Sequence, residues 1–148
     1  MQRKIVPDIV QPTEVASVTP DDTVEDAATL MRDRRIAALI VVDDGGSLIG
    51  IVTERDIVFR GVANGLDPKT ATMRDIMTSE PDTLAPGDSD VDALELMQSR
   101  RYRHLPVVQD GKCIAVVSIR DLFASVKEAL EESIRETEAF VFGDRYGA

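Results

Sequence analysis

Two short stretches carry residue types whose spacing could hold a ligand, Thr53-Glu-Arg-Asp56 and Ser118-Ile-Arg-Asp121. In each, a hydroxyl stands three residues ahead of a carboxylate, directly after an apolar run. The hydroxyl can donate to a phosphate oxygen. The carboxylate can accept two hydrogen bonds from the cis-diol of a ribose, as an acid does in dinucleotide folds. A helix starting at the hydroxyl would add N–H groups and a partial positive charge for an anion. The structural alternative is a capping box, which stabilises a helix start by about 0.5–2 kcal/mol. A reciprocal box favours Glu or Gln at its fourth residue, because the shorter Asp reaches back less well. That preference, and the recurrence of the pair at two equivalent junctions, favour the ligand.

The elements that must position these pairs form a repeat. Val18–Gly45 aligns with Leu84–Gly111 at an offset of 66, with 13 of 28 positions identical. The offset then becomes 65, so that Thr53 and Asp56 match Ser118 and Asp121. Upstream, Asp8-Ile9-Val10 echoes Asp75-Ile76-Met77. Within the first copy, Thr19-Pro20-Asp21-Asp22-Thr23 supplies a turn and an N-cap candidate, and Val24, Ala27, Ala28 and Met31 predict a helix to about Arg34. Ile36–Val42 reads as a buried strand, Asp44-Gly45-Gly46 as a hairpin turn and Ser47–Thr53 as the return strand. Glu54–Ala63 predicts a second helix that ends near Asn64-Gly65. Met73–Thr78 predicts one helical turn before the second copy. Asp90 stands where the first copy has Val24, so the second copy's first helix should start later or be more exposed. The last helix, from Ile119, should run on through the acidic stretch Lys127–Glu138. Phe140, Phe142 and Tyr146 in the tail need a docking place, on this chain or on a partner.

Composition narrows the function. The chain has 148 residues, 43% of them hydrophobic, and a formal net charge of −10. Such acidity opposes nucleic-acid binding. The longest apolar run, Ile36–Val42, is too short to span a bilayer, and the N-terminus lacks the apolar stretch of a signal peptide. One cysteine, Cys113, gives no internal disulfide framework, so the expected compartment is the cytoplasm. His104 and Cys113 are the only residues of their types and cannot build a histidine–cysteine metal cluster. Gly45 and Gly50 have the glycine spacing of a phosphate-binding loop, but Ile51-Val52 follow in place of the lysine and hydroxyl. No nucleophile–base pair stands out, so an enzyme is not expected.

The doubled unit, ending in Gly50-Ile-Val-Thr-x-x-Asp56 and Ala115-Val-Val-Ser-x-x-Asp121, resembles a tandem pair of cystathionine-β-synthase (CBS) domains. Asp75-Ile-Met-Thr78 and His104-Leu-Pro-Val-Val108 add to the likeness, which covers about residues 5–126. It implies an α/β (α+β) fold of two β-α-β-β-α repeats packed as a pseudo-twofold pair. The repeats would span 5–65 and 73–126, with a linker at 66–72 and a C-terminal helix and aromatic tail at 127–148. It also implies clefts for adenosyl ligands such as AMP, ADP, ATP, NAD or S-adenosylmethionine, and a homodimer.

Carried over residue by residue, Thr53 and Ser118 would take the phosphate, and Asp56 and Asp121 the ribose. The base would rest on Val18, Thr19, Ile36, Ala37 and Ala38 in one copy, and on Leu84, Ala85, Tyr102, Arg103 and His104 in the other. Gly50 would let the ligand approach the backbone, where Ala115 crowds the second site. Arg101, Arg103 and His104 suit a polyphosphate at the second site, so the two sites should differ in ligand or affinity. For Arg34-Arg35 and Arg100-Arg101 the structural alternative is a solvated helix end that complements the dipole.

The expected function is a regulatory module that senses adenine-nucleotide status through conformational change and is read by a protein target. It requires no cofactor beyond the nucleotide as regulatory ligand. No nucleic acid or membrane is expected as a partner. The rival is a ligand-free dimerisation scaffold.

Overall fold

The structure is a computed structural model that describes residues 2–146, with side chains described through residue 143. The first copy opens with strand β1 (Ser17–Val18) and helix α1 (Val24–Arg34), capped by the Thr23 hydroxyl, which accepts from the Asp26 N–H at 3.1 Å. Strands β2 (Ala38–Val42) and β3 (Leu48–Thr53) form an antiparallel hairpin, with β1 parallel to β2. Helix α2 (Glu54–Asp56) continues as a wider helical segment, Ile57–Val62. The second copy follows the same plan with α3 (Met73–Ile76), β4 (Thr78–Ser79), α4 (Asp90–Arg100), β5 (His104–Gln109), β6 (Lys112–Ser118) and α5 (Ile119–Tyr146). A single parallel bridge, Leu84 to Val107, stands where the first copy pairs Val18 with Val41. This is the mixed α+β repeat pair that the sequence predicts.

Helix α4 starts at the same register as α1, not later. Ser89 caps it, and the Asp90 carboxylate accepts from the Arg3 N–H at 3.2 Å while the Asp90 N–H donates to the Arg3 carbonyl. Asp90 is therefore tied to the N-terminal segment, which explains an acid at a position where α1 has buried Val24.

The two cores are built across the copies. Met73 and Ile76, in the entry segment of the second repeat, are buried with Leu39, Val41 and Val52 of the first. Ile5, which opens the first repeat, is buried with Leu105, Val107, Val117 and Leu122 of the second. The backbone follows the same exchange. Strand β4 pairs with β3, and the Glu80 N–H donates to the Ile49 carbonyl. Equivalently, the Thr13 N–H donates to the Ile114 carbonyl. Each entry segment thus reaches the other copy's hairpin, β4 as a paired strand and the first entry segment through the Thr13 N–H.

That exchange accounts for Gly50. A Cβ at this position would lie 2.9 Å from Met77 Sδ and 3.1 Å from the Thr78 carbonyl oxygen. The space the glycine leaves open is filled by the crossing β4 segment, not kept for a ligand as expected. Gly50→Ala is expected to destabilise the protein by about 1–3 kcal/mol through overpacking. A urea unfolding midpoint equal to that of wild type would refute this.

Helix α5 runs for 28 residues, from the second junction into the tail, so the tail continues the helix. Phe140 is 70% exposed. The Tyr146 side chain, Gly147 and Ala148 lie outside the described residues.

Candidate functional site

Strand β3 ends at Thr53, which stays extended while the chain turns into α2. The Thr53 N–H donates to Asp56 Oδ2 at 2.9 Å, and the Asp56 N–H reaches the Thr53 hydroxyl at 3.4 Å. At the second junction the Ser118 N–H donates to Asp121 Oδ2 at 2.8 Å, and the Asp121 N–H to the Ser118 hydroxyl at 3.2 Å. Both capping boxes are formed. Aspartate does reach back, so its shortness is no argument against the cap. The cap uses only one carboxylate oxygen of Asp56. The other, Oδ1, lies 3.8 Å from Arg60 Nε, and the side chain stays 16% exposed. Capping and ligand binding are therefore compatible at this residue.

The helix start has fewer donors to offer an anion than expected. The Glu54 N–H donates to the Ala37 carbonyl at 3.0 Å, and the Asp56 N–H is taken by Thr53. The equivalent bond in the second copy runs from the Ile119 N–H to the Arg103 carbonyl at 2.8 Å. With only the Arg55 N–H left of the first three, a phosphate at the first junction would draw chiefly on side chains.

Those side chains come from the other copy. Thr53 and Asp56 open onto a cleft of about 300 Å³ whose facing wall holds Arg101, Tyr102, Arg103 and His104. Ile51, Thr78, Pro81 and Leu105 supply further walls, and Arg55, Phe59, Arg60 and Arg100 stand around it. This regroups the expected site. Arg101, Arg103 and His104 of the second copy share this cleft with Thr53 and Asp56 of the first, while His104 also stands beside Ser118 of its own hairpin. The cause is the packing of the copies, which turns one copy's strand-to-helix junction toward the other's helix-to-strand junction.

The remaining expected wall residues do not line this cleft. Val18 is buried in the first core. Thr19 is exposed, and its N–H donates to Asp22. Ile36 packs against the first core, Ala37 meets the junction through its carbonyl, and Ala38 pairs with Thr53 across the hairpin. Ser118 and Asp121 stand at their own junction, where His104 pairs with Ser118 across the strands.

Electrostatics distinguish the groups in the cleft. The arginines outnumber the acids, Glu54, Asp56 and Asp82. Arg60 Nη1 donates to the carbonyls of Ile76 and Met77, which fixes its guanidinium beside Asp56. Arg55 lies over the Phe59 ring at 5.5 Å from its centroid. Burial pushes the Tyr102 hydroxyl up, and neighbouring Asp82 pushes it further. Asp82 Oδ2 is buried without a hydrogen bond and lies 4.0 Å from Arg100 Nε. Sequence reasoning missed Asp82, Pro81 and Thr78, because they lie on the exchanged entry segment.

Burial pushes the His104 imidazole below its ordinary value of 6.5; Glu54 and Asp121 oppose this shift and Arg103 adds to it. At pH 7 it is therefore neutral, a hydrogen-bonding partner and not a charge. Because the folded value lies below the unfolded one, the associated stability is full above about 6.5 and is lost as pH falls through that value toward the folded one. The thermal midpoint of ligand-free His104→Gln is expected to fall less than wild type's between pH 7 and pH 5. Parallel profiles would contradict this.

Comparison with known proteins places this geometry in context. The family profile described as CBS domain matches residues 6–62 and 73–128. The chain is 36% identical over 129 residues to the CBS domain-containing protein CBSX3, mitochondrial, of Arabidopsis thaliana, covering 84% of this chain and 63% of that relative's length. A solved protein with CBS domains from Burkholderia ambifaria is 41% identical, with a TM-score of 0.72, over 76% of this chain and 82% of that one. The structure of CBSX2 in complex with AMP is 26% identical, with a TM-score of 0.71, over 82% of this chain and 94% of that one. Among the described residues no helix is long and apolar enough to cross a membrane, and no cluster of metal-ligating side chains is found.

Proposed function

This chain belongs to the CBS-domain family, and from that premise we propose that it is a regulatory module that binds an adenine nucleotide in the cleft between its two repeats. One observation carries the reading: Thr53 and Asp56 of one copy share a cleft with Arg101, Tyr102, Arg103 and His104 of the other. Asp56 Oδ1 takes the ribose hydroxyls. Thr53 and the arginines take the phosphates. Tyr102, Ile51 and Leu105 flank the base. The AMP-bound relative supports an adenosyl ligand. The excess of arginines favours ADP and ATP over AMP; NAD is the larger candidate, and S-adenosylmethionine is the one without a phosphate for the arginines to hold. Ser118 and Asp121 form a second site of different affinity.

A nucleotide that touches both copies favours one relative pose of the two, because it binds that pose better. A protein target reads the change, and the chain acts as a homodimer in the cytoplasm with no catalytic role and no further cofactor. A second reading, a ligand-free scaffold, is favoured by the capping boxes, which give the hydroxyl and carboxylate of both junctions a structural role.

A thermal-shift titration with AMP, ADP, ATP, NAD and S-adenosylmethionine separates the two. Binding raises stability by about 2.7 kcal/mol at a hundredfold excess over the dissociation constant. A midpoint that rises with ligand concentration is the expected result. A flat response to all five at millimolar concentration would leave the scaffold.

A further inference from the structure

Among the described residues Ser125 is the last buried one, and every residue from 126 to 143 is exposed. A helix of that length is marginal in water without a packed face. It nevertheless carries one. Phe123, Val126, Leu130, Ile134 and Val141 follow at helical spacing and are 56%, 38%, 60%, 57% and 51% exposed. At about 100° per residue they share one stripe, roughly 27 Å long from end to end. The opposite side is already engaged with this chain, because Arg3 pairs with Glu128 at 3.1 Å and with Glu132 at 3.6 Å.

We infer that this stripe docks on the same stripe of a second copy, with the two α5 helices antiparallel. The inference rests on the homodimer reading and names its surface. A twofold interface must be self-complementary, each residue i meeting j while j meets i. Four of the five stripe residues meet that requirement. With residue 132 of each helix at the same level, Leu130 faces Ile134 and Phe123 faces Val141, each twice, while Val126 falls at the level of Glu138. Charge on one flank agrees with this register. Lys127, 3.9 Å from Glu131 of its own helix, comes within one residue of the level of Glu138 of the second copy, again twice. An unrelated partner helix would need no such symmetry in the spacing.

The test is sedimentation velocity of the full chain over a range of concentrations. Wild type is expected at twice the 16.2 kDa chain mass. Leu130→Glu/Ile134→Glu should sediment as a monomer with an unchanged helical circular-dichroism spectrum at the folded baseline. Lys127→Glu should weaken the dimer at least tenfold, and Lys127→Glu/Glu138→Lys should restore it. A dimer untouched by the Leu130/Ile134 variant would overturn this surface and leave the homodimer standing. Wild type that stays monomeric at every concentration would overturn both. Failure of the double charge reversal to restore the dimer would overturn the antiparallel register. None of these outcomes touches the nucleotide reading, which the thermal-shift titration tests separately.

Discussion

An Asp56→Asn variant is expected to bind AMP about 10- to 100-fold more weakly than wild type, while Asp121→Asn leaves binding in the same cleft close to wild type. The magnitude follows from the charge. A hydrogen bond to an ionised group contributes about 1.5–3 kcal/mol, and about 1.4 kcal/mol is a factor of ten in affinity. Asparagine is the informative substitution because it separates binding from folding. Its amide oxygen can replace Oδ2 as acceptor of the Thr53 N–H, the 2.9 Å bond that closes the cap. Its NH2 then occupies the place of Oδ1, the oxygen the cap does not use. Ligand-free stability should therefore fall by less than the 0.5–2 kcal/mol or so of a lost cap. Calorimetric titration reads the affinity and a thermal scan reads the fold. Equal AMP affinity in Asp56→Asn and wild type would reduce Asp56 to a helix cap.

Ile5→Ala is expected to cost about 2–5 kcal/mol, and to do so in the second copy's core although Ile5 opens the first repeat. Its side chain is 0% exposed and lies in the second core with Leu105, Val117 and Leu122. The loss should lower the thermal midpoint by about 2–4 °C per kcal/mol. Location matters as much as size. Amide hydrogen exchange should quicken first in β5 and β6, whose core has lost a member, and later in β2 and β3. Leu66→Ala, at a residue 37% exposed, should stay within about 0.5 kcal/mol of wild type. Faster exchange confined to β2 and β3 would contradict the exchanged architecture.

These two residues also mark where the sequence was legible. The Thr53–Asp56 and Ser118–Asp121 pairs could be read because a strand-to-helix junction is local. The residues that cap it lie three apart, and the repeat shows the same spacing twice. Helix α1, the hairpins and the start of α5 were legible for the same reason. The partner of each junction was not. Whether Arg101–His104 face Ser118 or Thr53 depends on how two similar copies pack, and a repeat looks the same in either arrangement. The exchange of entry segments was hidden in the same way. Ile5 and Met73 are apolar residues in short turns, and nothing in their spacing says which core they enter. Gly50 illustrates the consequence. A glycine before the junction suggested space for a ligand, but Met77 and Thr78 fill that space.

The central claim is that one cleft is shared by Thr53 and Asp56 of the first copy and by the cations of the second. Calorimetric titration of ATP into wild type, Asp56→Asn, Asp121→Asn and Arg101→Ala/Arg103→Ala tests it most directly. The account predicts that the arginine variant and Asp56→Asn weaken the same class of site, and that Asp121→Asn leaves that class intact. If the arginine variant instead lost the site that Asp121→Asn loses, while Asp56→Asn kept it, each copy would hold its own ligand and the shared cleft would be wrong.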